Sequence, residues 1–276
     1  MKKLLVPTDF SKTAENALNF AVLLAQRTNA KITLIHVFQL PVVITEIPFE
    51  ILQEERMDKK KEVEEKLVIE CSKWADQTKI EYRAIEGTPI DSILEFSKDN
   101  SFDYIILGTN GAGKHTAGFF GSTTSHVVEK ANCPVIAIPE SNYFRNGIKK
   151  ITFATDYHLS DIAFINKLSY LASLFNAQLN ILHVSLTDLS TEEEIKLMKN
   201  FIVKVETKIS YNNMSFQILA SDNINDRLEE YIASKGTDML VMSAQHRKLL
   251  ERIFGKSTTK EITLKTTIPL IIFHHK

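Results

Sequence analysis

The sequence predicts an α/β chain built from two tandem copies of a doubly wound, five-stranded parallel-sheet domain. Three observations carry that expectation. The chain has 276 residues, which at roughly 100–200 residues per domain is room for two. It repeats itself: Asp9 falls on Asp156 and His36-Val37 on His183-Val184, both at an offset of 147 residues. Each copy also alternates β-rich runs with runs of helical periodicity, the pattern of strands joined by crossover helices.

Within the first copy, Leu4-Leu5-Val6 reads as a short buried strand. Residues 12–28 place Ala14, Ala17, Leu18, Ala21, Val22, Leu24 and Ala25 on one helical face, with Ser11 as the N-cap. Ile32 to Phe38 is the second strand. A long charged helix follows over 53–77, with Leu52, Val63, Leu67 and Trp74 as its inner face. Its run Asp58 to Lys66 mixes both signs, as a solvated face does. Tyr82 to Ile85 is a strand, and Pro89 opens the next helix. Tyr104 to Leu107 is a fully apolar strand, a helix covers about 122–131, and Val135 to Ile138 closes the unit. Right-handed crossovers favour the strand order 3-2-1-4-5. Later blocks repeat at an offset of 135, which places an insertion in the first copy within about residues 39–60. That insertion, around Leu40 to Pro48, reads as an apolar, proline-bearing loop over the cleft or against a partner. The domains are expected over 1–140 and 148–276, joined by a polar stretch.

Composition narrows the function. There are 33 basic and 34 acidic residues, a net charge of -1, so nothing favours coating nucleic acid or an anionic membrane. No run approaches the roughly 18 apolar residues of a membrane span, and the N-terminus lacks a secretory apolar core. A cytoplasmic location is the expectation. The two cysteines, Cys71 and Cys133, read as reduced thiols. No His/Cys/Asp cluster has zinc-site spacing. His36 and His183 read as structural histidines, His126 as a helix-surface one, and His274-His275 as a solvated tail.

In a sheet of this order, ligands sit beyond the carboxyl ends of the strands where the winding reverses, between strands 1 and 4. Strand 1 ends in Pro7-Thr8-Asp9. Strand 4 ends in Gly108-Thr109-Asn110-Gly111, and Gly121-Ser122-Thr123-Thr124 opens the following helix. Glycines admit close approach of phosphate to backbone N–H groups, and a helix N-terminus adds unpaired donors and a positive dipole end. The pattern describes a phosphate cradle facing a carboxylate. Asp9 has an alternative reading, as the cap of its own turn. Gly108 to Lys114 nearly spells a P-loop, but His115 stands where Ser or Thr is needed. Phe119-Phe120 reads as loop packing, as does Ile253-Phe254 in the second copy.

Gly108-x2-Gly111-x9-Gly121-Ser122 matches the G-x2-G-x9-G-[ST] signature of the ATP-binding universal stress proteins. Pro7-Thr8-Asp9, His36-Val37 and Pro134 resemble that family's strand ends and final proline. The resemblance covers nearly the whole chain and implies a Rossmann-like fold holding ATP, or ADP or AMP, at the switch point, often with Mg2+ or Mn2+ on the phosphates. It implies that Asp9 and the backbone of Val37 hold the nucleoside, with Pro7 and Thr8 also in the nucleotide site. Gly108, Asn110, Gly111, Gly121, Ser122, Thr123 and Thr124 would line the phosphate path. It further implies an internal pseudo-dimer through the last strands, with homodimers of whole chains plausible. The second copy departs from the signature: Ser243, His246 and Lys256 replace the three glycines, although Asp156, Ser257 and Thr258 remain. One nucleotide per chain is therefore the expectation. Lys256, Arg247 and Lys248 are candidates only for a smaller anion. No base or nucleophile is evident, so a nucleotide-dependent signalling module leads over a slow ATP hydrolase using Asp9 or His126, and over a ligand-free stress scaffold.

Overall fold

A computed structural model of the chain describes residues 2–40, 49–109, 120–140, 147–186, 192–244 and 267–274. The chain divides near residue 140 into two compact units.

Unit 1 runs β1 (Lys3–Pro7), α1 (Lys12–Thr28), β2 (Lys31–Phe38), α2 (Phe49–Ser72), β3 (Ile80–Glu86), α3 (Pro89–Asn100), β4 (Tyr104–Gly108), α4 (Ser122–Lys130) and β5 (Val135–Ile138). The strands are parallel in the order β3-β2-β1-β4-β5, the expected one. Unit 2 repeats the plan with β6 (Lys150–Ala154), α5 (Asp161–Phe175), β7 (Gln178–Ser185), α6 (Glu192–Lys208), β8 (Met214–Ala220), α7 (Ile224–Lys235), β9 (Met239–Ser243) and β10 (Leu270–Phe273). Its order is β8-β7-β6-β9-β10, all parallel.

The central strands are apolar because helices cover both their faces. Leu4, Leu5, Val6, Ile105, Ile106, Val135 and Ile136 are buried together with Ala17, Phe20, Ala21 and Leu24 of α1. Burying each such large side chain contributes about 1.5–3 kcal/mol before chain entropy is set against it. Helix α1 starts where Ser11 accepts from the Ala14 N–H, and ends where Asn29 turns left-handed at φ 52°. Both caps are short polar residues suited to those positions.

Helix α2 differs from expectation. It spans Phe49–Ser72, so Trp74 lies in the turn beyond it, and Leu52 is 36% exposed rather than packed inward. Only Val63 and Leu67 are buried on it. Its apolar residues do not recur at helical spacing in the first half, so that half buries no stripe. The helix has 24 residues against 17 in its counterpart α6, so part of the insertion lengthens a helix instead of a loop. The remainder, residues 41–48, lies outside the described residues. The mixed charges do form a solvated ladder: Glu62 bridges Lys59 and Lys66 at 2.7 Å each. Those two lysines pull its carboxyl down to about 2. Both cysteines are free; burial, aided by the charge of Glu70, pushes the Cys71 thiol up to about 11.

Candidate functional site

The register of β1 on β4, with Leu5 opposite Ile105, brings the carboxyl ends of the two strands side by side. Past its end, β1 makes a tight turn built from its own polar atoms. The Thr8 hydroxyl accepts from the Phe10 N–H at 3.0 Å, and Asp9 Oδ1 accepts from the Ser11 N–H at 3.0 Å. Phe10 is held left-handed at φ 62°, uncommon for an aromatic residue. Its ring lies 4.6 Å from that of His36, whose Nδ1 donates to the Thr8 carbonyl at 2.7 Å. The turn leaves Asp9 exposed above the strand ends. Thr8 and one oxygen of Asp9 are therefore engaged in shaping the turn, and the capping reading of Asp9 holds for that oxygen. Pro7 and Val37 lie half-buried at the ends of β1 and β2.

On the other side, the Gly121 N–H donates to the Thr109 carbonyl at 2.7 Å, and Thr124 Oγ1 donates to the Gly108 carbonyl at 2.7 Å. These two bonds fasten the start of α4 against the end of β4. Gly121 is the N-cap and has no side chain to cap with, so the first-turn N–H groups are left without a side-chain partner from that position. Ser122 is exposed and Thr123 half-exposed beside them. Donors of this kind suit an anion. The residues present thus fit the polyphosphate of a nucleotide. Asn110 and Gly111 lie outside the described residues, as does the near-P-loop segment.

Gly108 has a reason the sequence did not reveal. A Cβ there would come within 2.7 Å of Thr13 Cβ and 2.8 Å of the Thr13 backbone. The glycine lets the first turn of α1 close onto β4. In unit 2 the same position holds Ser243, fully buried, and α5 starts two residues later in register than α1. The other replacements in the second copy, His246 and Lys256, lie outside the described residues, with Arg247, Lys248, Ser257 and Thr258.

Sequence reasoning left Phe10 and Thr13 aside and read His36 as structural only. Their signal was present as a pair: Phe10 with His36 recurs as Tyr157 with His183, rings 4.5 Å apart. Burial holds the His36 imidazole below its ordinary value; Lys66 and Lys59 push the same way, while the Thr8 carbonyl and Asp9 oppose them. His126 donates from Nδ1 to the Ser122 carbonyl of its own helix at 2.7 Å. Among the described residues no group of three or more His, Cys, Asp or Glu could hold a metal ion. Among them, too, no helix is long and apolar enough to cross a membrane.

The comparisons with known proteins agree with the layout. A universal stress protein of Methanocaldococcus jannaschii is 27% identical over 140 residues, 50% of this chain and 81% of that protein. One from Thermus aquaticus is 28% identical, covering 50% of this chain and 98% of that protein. A universal stress protein from Archaeoglobus fulgidus matches in structure over 99% of this chain and 96% of its own, at TM-score 0.72 and 16% identity, a likeness of fold. The sequence model of the universal stress protein family matches residues 1–139, half of the chain, and with that match the chain belongs to the universal stress protein family.

Proposed function

We propose that unit 1 binds an adenine nucleotide and that the chain works as a nucleotide-dependent stress-response or signalling module. The observation that carries this reading is the start of α4, where a glycine N-cap fixed to the end of β4, the strand paired with β1, leaves the first-turn donors without a side-chain cap. Ser122, Thr123, Thr124 and the N–H groups near Gly121 would take the phosphates, with Asn110 and Gly111 completing the path. Asp9, Pro7, Thr8 and the backbone of Val37 would take the nucleoside, the Asp9 carboxylate accepting from ribose hydroxyls. A divalent cation, Mg2+ or Mn2+, would neutralise phosphate charge when bound. Gly108 serves this site indirectly, by letting α1 approach β4.

Unit 2 keeps the strand-end turn but holds Ser243 where unit 1 has Gly108, which supports one nucleotide per chain. A cytoplasmic location and pairing of the halves, or of whole chains, belong to the same proposal; sedimentation of the full chain reads the last. Mass spectrometry of small molecules released from freshly purified, denatured protein tests the core of it. An adenine nucleotide near one per chain is the expected result. No released nucleotide, together with no thermal shift on adding ATP, ADP or AMP, overturns it.

A further inference from the structure

The two units differ in what faces the histidine that ends their second strand. In unit 1, His36 donates to the Thr8 carbonyl, and the charged groups on α2 that act on it are the cations Lys59 and Lys66. In unit 2, His183 makes the same bond from Nδ1 to the Thr155 carbonyl at 2.7 Å. Helix α6 then brings a carboxylate to the other ring nitrogen: Glu194 Oε1 lies 2.9 Å from His183 Nε2. Glu194 Oε2 accepts from the Ser185 hydroxyl at 3.0 Å.

The donor inventory of this cluster is decisive. A backbone carbonyl only accepts, so Nδ1 carries a hydrogen. An ionised carboxylate also only accepts, so Nε2 must carry one too. The cluster therefore holds one proton more than a neutral imidazole beside an ionised glutamate. Two further groups surround the ring. Asp156 Oδ1 lies 3.8 Å from Nδ1, and the Tyr157 ring packs on the imidazole at 4.5 Å. That ring is backed by Phe201 of α6 at 5.4 Å. Among the described residues, the titratable groups facing His183 are thus Asp156 and Tyr157 from the turn after β6 and Glu194 from α6. Burial and the charge of Glu194 hold the Tyr157 phenol well above its usual value, so it stays neutral.

We propose that His183, Glu194 and Ser185 form a proton-dependent latch that fastens the first turn of α6 to the carboxyl ends of β6 and β7. The latch lies at the rim of a cleft in unit 2 lined by Ala154, Thr155, Asp156, Leu182, Val184 and Leu228. Two of those lining residues, Thr155 and Asp156, are themselves contacts of His183. The sign follows from the inventory. The latch is closed while the extra proton is held and opens when that proton is lost. Loss leaves Glu194 and Asp156 without the cation between them. The latch is a property of unit 2 and does not rest on nucleotide binding by unit 1.

The test uses the full chain, with histidine-ring nitrogen NMR and hydrogen exchange of the α6 amides between about pH 6 and about pH 8. At the lower pH the His183 ring is expected to give the doubly protonated pattern and His36 the neutral Nδ1–H pattern. After correction for intrinsic rates, α6 exchange is expected to rise about tenfold across the range, the size of one lost charge-assisted hydrogen bond. Glu194→Ala, which removes both contacts, is expected to exchange fast at both ends of the range. Ser185→Ala, which spares the ion pair, is expected to keep the pH dependence and decides the matter if Glu194→Ala fails to fold. A singly protonated His183 ring at the lower pH, or α6 exchange that rises equally in wild type and Glu194→Ala, overturns the proposal.

Discussion

Thr13 closes over Gly108 at the switch point of unit 1 and leaves no room there for a Cβ. Because the obstructing atoms include backbone at 2.8 Å, no rotamer change relieves a side chain at 108. Gly108→Ala is expected to cost about 1–3 kcal/mol, the range for overpacking a filled site, read by urea unfolding. His36 gives a second residue-scale outcome. Burial makes its imidazole harder to protonate in the folded chain, while the unfolded chain takes up a proton near the ordinary value of about 6.5. Over the window just below that value the unfolded state holds more protons, so stability rises with pH there. Urea midpoints compared between wild type and His36→Gln should show the variant losing that slope.

At the scale of elements, the starts of α1 and α5 show how one plan yields two clefts. Ser11 caps α1 through the Ala14 N–H, whereas the Ser160 side chain makes no capping bond and Asp161 reaches back to the Thr155 hydroxyl at 2.8 Å. Asp161 stands where unit 1 has Ala14, so the buried carboxylate belongs to unit 2 alone. Ser11→Ala is expected to cost about 1 kcal/mol of stability in thermal or urea unfolding. Asn29 and Asn176 end the two helices in left-handed geometry at φ 52° and 56°. Asn176→Ala is expected to cost about 1 kcal/mol, and Asn176→Gly to be close to neutral, in the same assay. The ladder on α2 warns against a larger figure for surface charge: its bridges are exposed, and salt screens such pairs.

For the whole molecule, the consequence is unequal halves. With the proposed nucleotide at about 100 times its dissociation constant, folding is expected to gain about 2.7 kcal/mol. Gly121→Val, which puts a branched side chain at the N-cap of α4, is expected to abolish that gain. Its own unfolding curve without ligand separates lost binding from lost folding. Titration calorimetry on wild type should give one site per chain.

The order of strands and helices in both units was legible in the sequence. Apolar strand runs, helical spacing in 12–28, the Ser11 cap and the internal repeat are local or periodic signals that survive folding unchanged. The glycines that end β4 at 108 and open α4 at 121 were legible too, because their spacing is itself the signal. Tertiary structure alone decided the rest. It showed that Gly108 makes room for Thr13, that Thr8 and one Asp9 oxygen are spent on their own turn, and that Leu52 faces outward. It also brought Glu194 of α6 onto His183. Each of those facts depends on which residues of distant segments share a few ångströms of space. A linear pattern carries the period of an element, but the neighbours its side chains meet exist only after the elements have packed.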